Sequence, residues 1–576
     1  MIAANAHISK APRQFLPETF QLTTWEQLQP YFENLQQRNI DTLPALQQWL
    51  QDASELEAVI SEDACWRQIN MTCDTTNKAY EEAFTYFCTD IEPQMKPCFF
   101  ELNKKLLAAP HLHELDAQRY FPYLRQLQNA VALYREANVP IQAEINLLAQ
   151  QYGVISGKMT VTIDNKEYTL QQAARFLQNP DRSLREKVYR QIAARRLQDQ
   201  EELNNLFDKL LHLRHQIATN AGFDNYRDYK FKELGRFDYT AEDCFAFHDA
   251  VKQHILPLHK MLVEHRKNRL KLSVMKPWDS DAEPSEVQPL RPFETGQELT
   301  EKTIAVFQQL RPFFAECIKT MVSMQRLDLE SRIGKAPGGY NCPLAETGVP
   351  FIFMNAAGTI NDVITMMHEG GHAIHSFLAH PLPLTAFKEY PMEIAELASM
   401  SMELFSMEHW NLFFSDNDSF QRAQAEELER VISVLPWIAT IDKFQHWLYT
   451  HHGHSHAQRT EAWMQILNEF STGVVDWSDF NDYRQMFWQK QLHLYEVPFY
   501  YIEYGIAQLG ALAMWRQYRE DKESTLDNYM KALQLGYTRP LQELYATAGI
   551  RFDFSPAYIH EIAGFVKERL TAAGIQ

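Results

Sequence analysis

The sequence predicts a mostly α-helical fold with two small β elements, near residues 158–169 and 334–355. Three observations carry this. Glycine is sparse, 20 in 576 residues, and no long Gly/Ser-rich linker interrupts the chain, as suits a helical protein. Apolar residues recur at three- and four-residue spacing over most of the length. Runs rich in β-formers and bounded by turn residues occur in two short stretches.

Taken in order, residues 23–151 read as long amphipathic helices. Leu28, Tyr31, Phe32 and Leu35 share one face, and Leu106, Leu107, Leu112 and Leu115 repeat the pattern. Residues 158–170 break it. Residues 159–163 are β-rich, Asp164-Asn165 is a turn pair, and Tyr168 and Thr169 follow, which predicts a hairpin. Asn179-Pro180-Asp181 caps a new helix, and helical periodicity continues to about Lys271. Pro277, Pro284, Pro289 and Pro292 mark a loop region that holds Trp278-Asp279. In the second β segment, Gly338 and Gly339 permit unusual backbone angles or close approach of a substrate. Residues 350–355 read as a strand whose edge can pair with an extended peptide. The stretch 334–355 is the only other plausible β segment; from Asn361 onward the chain reads helical, with no internal repeat.

Composition excludes several functions. A net charge of −19 argues against a nucleic-acid partner, which needs basic grooves. Hydrophobic residues at 45% and charged residues at 22% are an ordinary globular balance. Seven cysteines, dispersed from Cys65 to Cys342 without a C-x-x-C pair, suit a reduced compartment. Residues 1–15 show no signal-peptide pattern, and apolar stretches such as 431–441 are too short to span a bilayer. The expected location is the cytoplasm, with no membrane partner.

The chemistry is concentrated in His368-Glu369-Gly370-Gly371-His372. On a helix, positions i and i+4 share a face, so His368 and His372 can reach one ion. Glu369 points about a quarter turn away, where it can hold a water instead of the metal. The apolar run 363–367 takes this helix into a core. A second helix-like segment then offers Glu393 and Glu396, 21 and 24 residues after His372, in an apolar stretch. Buried carboxylates are costly unless paired or metal-bound. A third-histidine site is excluded, because the positions that would hold its Gly and His carry His375 and Leu378. What remains is one zinc per chain in a His-His-Glu site; spacing alone does not choose between Glu393 and Glu396. The run His451-His452-Gly453-His454-Ser455-His456 lacks an interleaved acid and reads as a loop with weak metal affinity.

Residues 368–376, preceded by Gly338-Gly339-Tyr340-Asn341-Cys342 and Pro350-Phe351-Ile352-Phe353-Met354-Asn355, resemble the M3 metallopeptidases. The oligoendopeptidase F branch is closer than thimet oligopeptidase and neurolysin. The resemblance implies a helical zincin-type peptidase enclosing a deep substrate channel. It carries the ligand role to Glu396, in Glu396-Leu397-Ala398-Ser399, and gives Glu403 the support of a ligand histidine. His493-Leu494-Tyr495 and Pro498-Phe499-Tyr500-Tyr501-Ile502-Glu503-Tyr504 also resemble the family. They imply His493, Tyr500 and Tyr504 as catalytic donors, although the His-to-Tyr interval leaves open which tyrosine acts. Tyr501, Gly338, Gly339 and Tyr340 are implied as supporting residues or substrate contacts; His375, three residues after His372 and near the same helix face, reads as a supporting residue or substrate contact from its spacing. Asp181-Arg182-Ser183-Leu184-Arg185 and the Pro-aromatic-Asp loop are further similarities.

Together these readings divide the chain into an N-terminal helical region with the hairpin, 1–200, and a catalytic domain, 201–576. The expected activity is zinc-dependent hydrolysis of internal bonds in short oligopeptides, with Glu369 as general base. The alternative is a zinc carboxypeptidase or dipeptidase of related His-His-Glu architecture. A peptide-binding scaffold is disfavoured by the intact Glu369. Oligomeric state is left unassigned.

Overall fold

The N-terminal periodicity resolves into helices Trp25–Gln37, Leu43–Cys73 and Glu92–Leu107 in the computed structural model, which describes residues 6–8, 10–284, 287–332, 334–336 and 338–575. The chain forms two compact units, each built from separated stretches. The first comprises Met1–Ala132, Leu290–Gln424 and Ala507–Phe552; the second comprises Leu133–Pro289, Ala425–Ile506 and Asp553–Gln576. These units are discontinuous in sequence and are a different kind of division from a chain-order boundary near residue 200.

In the first unit, Thr42 accepts a hydrogen bond from the Ala45 N–H and Pro44 opens the first turn of Leu43–Cys73, a favourable helix start. Leu28, Phe32, Leu35, Trp49 and Leu106 then pack in one core with Leu382, Leu384 and Phe387. The last three lie in the connection between the two site helices, Ile360–Ala379 and Met392–Met407. The Thr385 N–H and Oγ1 also donate to Ser54 Oγ and O, at 2.6 and 2.9 Å. The N-terminal helices thus fix the loop that joins the site helices.

The same unit holds a three-stranded sheet of β3 (Leu327–Glu330), β4 (Tyr340–Cys342) and β5 (Phe351–Ala356). Its order is β3-β5-β4, with β5 parallel to β3 and antiparallel to β4. Two expectations are corrected here. The segment at 350–355 is the central strand and has no open edge; Phe351 to Met354 are all buried, as both faces of a central strand can be. The second β region also begins earlier than expected, at Leu327. Four residues carrying two acids give little local strand signal, and β3 exists through its parallel pairing with β5.

In the second unit, β1 (Thr160–Ile163) and β2 (Lys166–Thr169) form the expected antiparallel hairpin. Asp164 and Asn165 have φ of +49° and +64°, the two left-handed positions of a type I′ turn. Asp181 caps helix Arg182–Gln198, accepting from the Ser183 N–H at 2.9 Å. Arg182 and Arg185 of that helix both reach Asp279, at 2.8 and 2.9 Å. Asp279 is fully buried, and the adjacent Trp278 packs with Ala193, Phe480 and Tyr483. Two motifs far apart in sequence are therefore one ion-pair anchor. No helix among the described residues is long and apolar enough to cross a membrane.

Candidate active site

Helix Ile360–Ala379 begins with a capping box between Thr359 and Asp362, which fixes its first turn. It runs into the core through buried Val363, Ile364, Met366 and Met367 before reaching His368 and His372. Its two glycines govern what happens next. A Cβ on Gly371 would lie 2.6 Å from Ser399 Cα and 2.9 Å from Ala398 O; one on Gly370 would lie 2.7 Å from Phe307 Cζ. At Gly371 the two site helices therefore meet at backbone distance, closer than any side chain allows. The second helix is held in turn by Tyr529, whose hydroxyl donates to Ala398 O at 2.8 Å, and Tyr545, whose hydroxyl donates to Glu393 O at 3.0 Å.

This approach brings Glu396, one turn before Ser399, opposite the histidines. Glu396 Oε2 lies 3.4 Å from His368 Nε2 and 3.9 Å from His372 Nε2. One ligand atom from each residue lies within 4.8 Å of the others. Ligands about 2.0–2.1 Å from a tetrahedral zinc are about 3.3–3.4 Å apart, so the three atoms frame a gap of ionic size. His368 Nδ1–H donates to Glu403 Oε1 at 2.5 Å. That bond fixes the ring orientation and leaves Nε2, 3.4 Å from Glu396, as the nitrogen at which a metal would replace a proton. Spacing had left Glu393 and Glu396 equivalent; here it is Glu396 that meets both imidazoles, while Ser399 Oγ donates to it at 3.3 Å.

The electrostatics follow from burial and these partners. Burial disfavours charge on His368, but Glu396 and Glu403 outweigh it and push its pKa well up. Burial pushes His372 down to about 4. Burial acts against the charge on Glu396, yet the two histidines and Ser399 bring it down to about 2. Glu369, buried beside the triad and outside it, is pushed up to about 7, chiefly by burial.

The supporting residues take distinct places. Tyr340 stacks on Phe353 with ring centroids 4.9 Å apart, and its hydroxyl is 2.6 Å from Thr72 Oγ1. Gly338 has φ +99° and its carbonyl accepts from Asn355 Nδ2 at 2.9 Å; Gly339 lies over the Phe353 carbonyl. The neighbouring Asn341 Nδ2 donates to the Glu369 carbonyl at 3.3 Å. His375 is 0% exposed and stacks on Tyr390 at 3.5 Å. Contact with a substrate is therefore closed to it, because Tyr390 covers the face that the i+3 spacing from His372 made attractive.

The second unit gathers His493, Tyr500, Tyr501 and Tyr504. The His493 ring centroid lies 6.2, 4.7 and 5.9 Å from those of the three tyrosines in that order. Trp437 Nε1–H donates to Gln491 Oε1 at 2.9 Å, and Gln491 Nε2–H donates to His493 Nδ1 at 2.7 Å. With Nδ1 accepting, the neutral ring carries its proton on Nε2. Burial pushes His493 down to about 4, which keeps it neutral at ordinary pH. The tyrosines are aimed by Phe499, whose φ of +67° is rare for a bulky side chain. Gln445 Oε1 accepts the Phe499 N–H at 2.6 Å, and buried Arg236 donates to its carbonyl and to Glu503. Sequence reasoning missed Gly371, Gln491, Trp437 and Arg236. Consecutive glycines inside an apolar helix were a legible sign of close packing; the other three act across long sequence separations.

The histidine run at 451–456 spans an exposed connection and the start of helix His456–Glu469. His452 stacks on His215 at 3.6 Å, and His456 Nε2 is 2.6 Å from Asp208 Oδ2. It is not among the potential metal-holding groups of the described residues.

Comparison with known proteins places the chain in a family. Residues 175–564 match Peptidase family M3, and residues 15–134 match the Peptidase M3 N-terminal domain. The chain is 24% identical over 341 residues to the chromosomal oligoendopeptidase F of Lactococcus lactis subsp. cremoris, covering 56% of this chain and 52% of that protein; the match thus spans about half of that relative. It is 22% identical over 527 residues to the group B oligopeptidase PepB of Streptococcus agalactiae, covering 86% and 84%. Among solved structures, PZ peptidase A with inhibitor 2 superposes with a TM-score of 0.89 at 26% identity, covering 97% of this chain and 99% of that one. Oligoendopeptidase F from Enterococcus faecium shares the fold at a TM-score of 0.65 and 15% identity, covering 96% and 97%.

Proposed function

The chain belongs to peptidase family M3, and from that premise we propose that it is a zinc-dependent endopeptidase cutting internal bonds of short oligopeptides. The observation that carries the proposal is the ion-sized gap framed by His368, His372 and Glu396 with Glu369 alongside. These three would hold the ion, and Glu403 would fix His368. When bound, zinc polarises a carbonyl and lowers the pKa of water toward neutrality.

The remaining work falls to the chain's own residues. Glu369 accepts the proton of the attacking water and returns it to the leaving amine. Burial supports that role, since it makes Glu369 a stronger base than an exposed glutamate. The His493 Nε2–H and the Tyr504 hydroxyl are proposed as donors to the oxyanion of the tetrahedral intermediate. The neutral Nε2–H tautomer set by Gln491 supports this for His493. With β5 central, extended pairing with a peptide falls instead to β4, an edge strand. The seven cysteines are free thiols, which fits the reduced compartment proposed for the enzyme.

The test compares three substrates: a peptide of about ten residues blocked at both ends, the same peptide with free ends, and a folded protein. Equal chelator-sensitive cleavage of the two peptides, with the protein spared, is the expected result. Cleavage confined to a free C-terminus would move the assignment to a carboxypeptidase.

A further inference from the structure

Two i, i+4 pairs meet inside the second unit. Cys244 and His248 lie one turn apart on helix Ala241–Ala250, and Asp442 and His446 lie one turn apart on helix Asn417–Thr450. All four are buried, none more than 3% exposed. Cys244 Sγ, a carboxylate oxygen of Asp442 and a ring nitrogen of His446 lie within 4.8 Å of one another. His248 Nε2 is 2.8 Å from Asp442 Oδ2, and His446 Nε2 is 3.3 Å from the same oxygen. Asp442 Oδ1 and His446 Nδ1 have no hydrogen-bond partner among the described residues, and the His446 Nε2 contact with Oδ2 is too poorly aligned to be a hydrogen bond.

We propose that Cys244, Asp442 and His446 supply three ligands of a second, buried metal site of the zinc class, its fourth position left to water, with His248 holding the carboxylate from behind. Buried polar atoms are nearly always satisfied, and one ion would engage Asp442 Oδ1 and one His446 ring nitrogen together with the Cys244 thiolate. A thiolate, an imidazole and a carboxylate are the donors that zinc takes. Thiolate and carboxylate together neutralise a divalent charge, so the loaded site places no net charge in the interior. The His248 Nε2–H donates to Oδ2 and leaves Oδ1 for the ion, the arrangement in which a second residue orients a ligand. Tetrahedral zinc with these donors has ligand–ligand edges of about 3.3–3.7 Å, so groups that lie within 4.8 Å of one another need to draw together by at most about 1 Å.

The site has a structural consequence. Gln445, between the two helix ligands, accepts the Phe499 N–H at 2.6 Å, and the His446 ring lies 5.3 Å from the Phe499 ring. Clamping Ala241–Ala250 to Asn417–Thr450 would brace the left-handed residue from which the tyrosine cluster starts. Burial closes the site to substrate, and the ion would enter during folding. The same residues without an ion would be an aspartate flanked by two histidines, which is the outcome the test must separate.

The experiment measures metal per chain in full-length protein produced with zinc and dialysed against a weak chelator. About two ions per chain are expected in the unsubstituted protein, and about one in each of Cys244→Ser and His372→Ala. Protein refolded with cobalt(II) should show near-ultraviolet cobalt–thiolate charge-transfer absorption, which His372→Ala keeps and Cys244→Ser loses. If Cys244→Ser does not fold, His372→Ala decides alone: one retained ion and a thiolate band support the site. A single ion per chain that His372→Ala abolishes, with no thiolate band, overturns it. Failure of the His372 site leaves the thiolate band in place, so the two assignments fail separately.

Discussion

Gly371→Ala tests the helix contact on which the candidate active site depends. The added Cβ would stand 2.6 Å from Ser399 Cα, 2.9 Å from Ala398 O and 3.0 Å from Met402 Cβ. Carbon atoms rest about 3.5–4.0 Å apart, so relief requires the helices to separate by about 1 Å. Two of the three obstacles are backbone atoms, and Tyr529 holds one of them through the Ala398 carbonyl. Glu396 stands three residues before Ser399 and moves with it. Metal ligands tolerate errors of only about 0.2 Å, so a displacement of this size should lower metal affinity on the order of 10²-fold, at the upper end of what loss of an outer support costs. Overpacking should cost about 1–3 kcal/mol, offset by about 1 kcal/mol of better helix propensity. The variant should therefore fold while losing its metal.

The assay is competition with a chromophoric chelator, read beside thermal unfolding. Gly370→Ala is the matched control: its Cβ meets the Phe307 side chain and no atom of the second site helix. Stability should fall and metal affinity should stay within a few-fold. Unchanged affinity and turnover in Gly371→Ala, or equal affinity losses in the two variants, would refute the idea that backbone contact at this position places Glu396.

Three further outcomes are expected. Glu369→Gln should keep its metal and lose turnover by at least 10²–10⁴-fold, the usual contribution of a general base, measured by single-turnover hydrolysis beside metal content; near-normal turnover would end its proposed role. Tyr504→Phe should lower the chemical step by about 10²–10³-fold, or ~2.7–4 kcal/mol, with peptide affinity unchanged; a change in affinity alone would make it a binding residue. Asp279→Asn should destabilise the protein by about 3–5 kcal/mol in denaturant titrations at neutral pH, as when one partner of a buried ion pair is removed. Burial acts against the Asp279 charge, but Arg182, the Lys276 N–H and Arg185 outweigh it and hold its pKa down, so its contribution is full above the ordinary carboxylate range and is lost as pH falls through the lowered value; the variant should lack that part of the acid destabilisation.

What was legible in the sequence was local. The hairpin was announced by Asp164-Asn165, the helix start after it by Asp181, and the pairing of two candidate ligands on one helix face by the i, i+4 spacing of His368 and His372. What was not legible depends on partners distant in the chain. Residues 350–355 could be recognised as a strand, but the choice between edge and centre lies in β3 and β4. The run of buried residues from Phe351 to Met354 was the overlooked hint, since a strand with one open face alternates. Arg182 and Asp279 were noted as separate motifs because their pairing spans 97 residues. His375 looked available because spacing gives a helix face and not what covers it; Tyr390 covers it.

The third ligand shows where local and tertiary information meet. Spacing could not separate Glu393 from Glu396, since both lie on one face of the same helix. The selection is made by where the two helices touch, and that point is set by Gly371 against Ser399. A glycine in a helix interior costs about 1 kcal/mol relative to alanine. Two in succession within an apolar helix are therefore destabilising unless something requires close approach there. In His368-Glu369-Gly370-Gly371-His372 the histidines name two candidate ligands, and Gly371 sets the helix separation that brings Glu396 within reach of both.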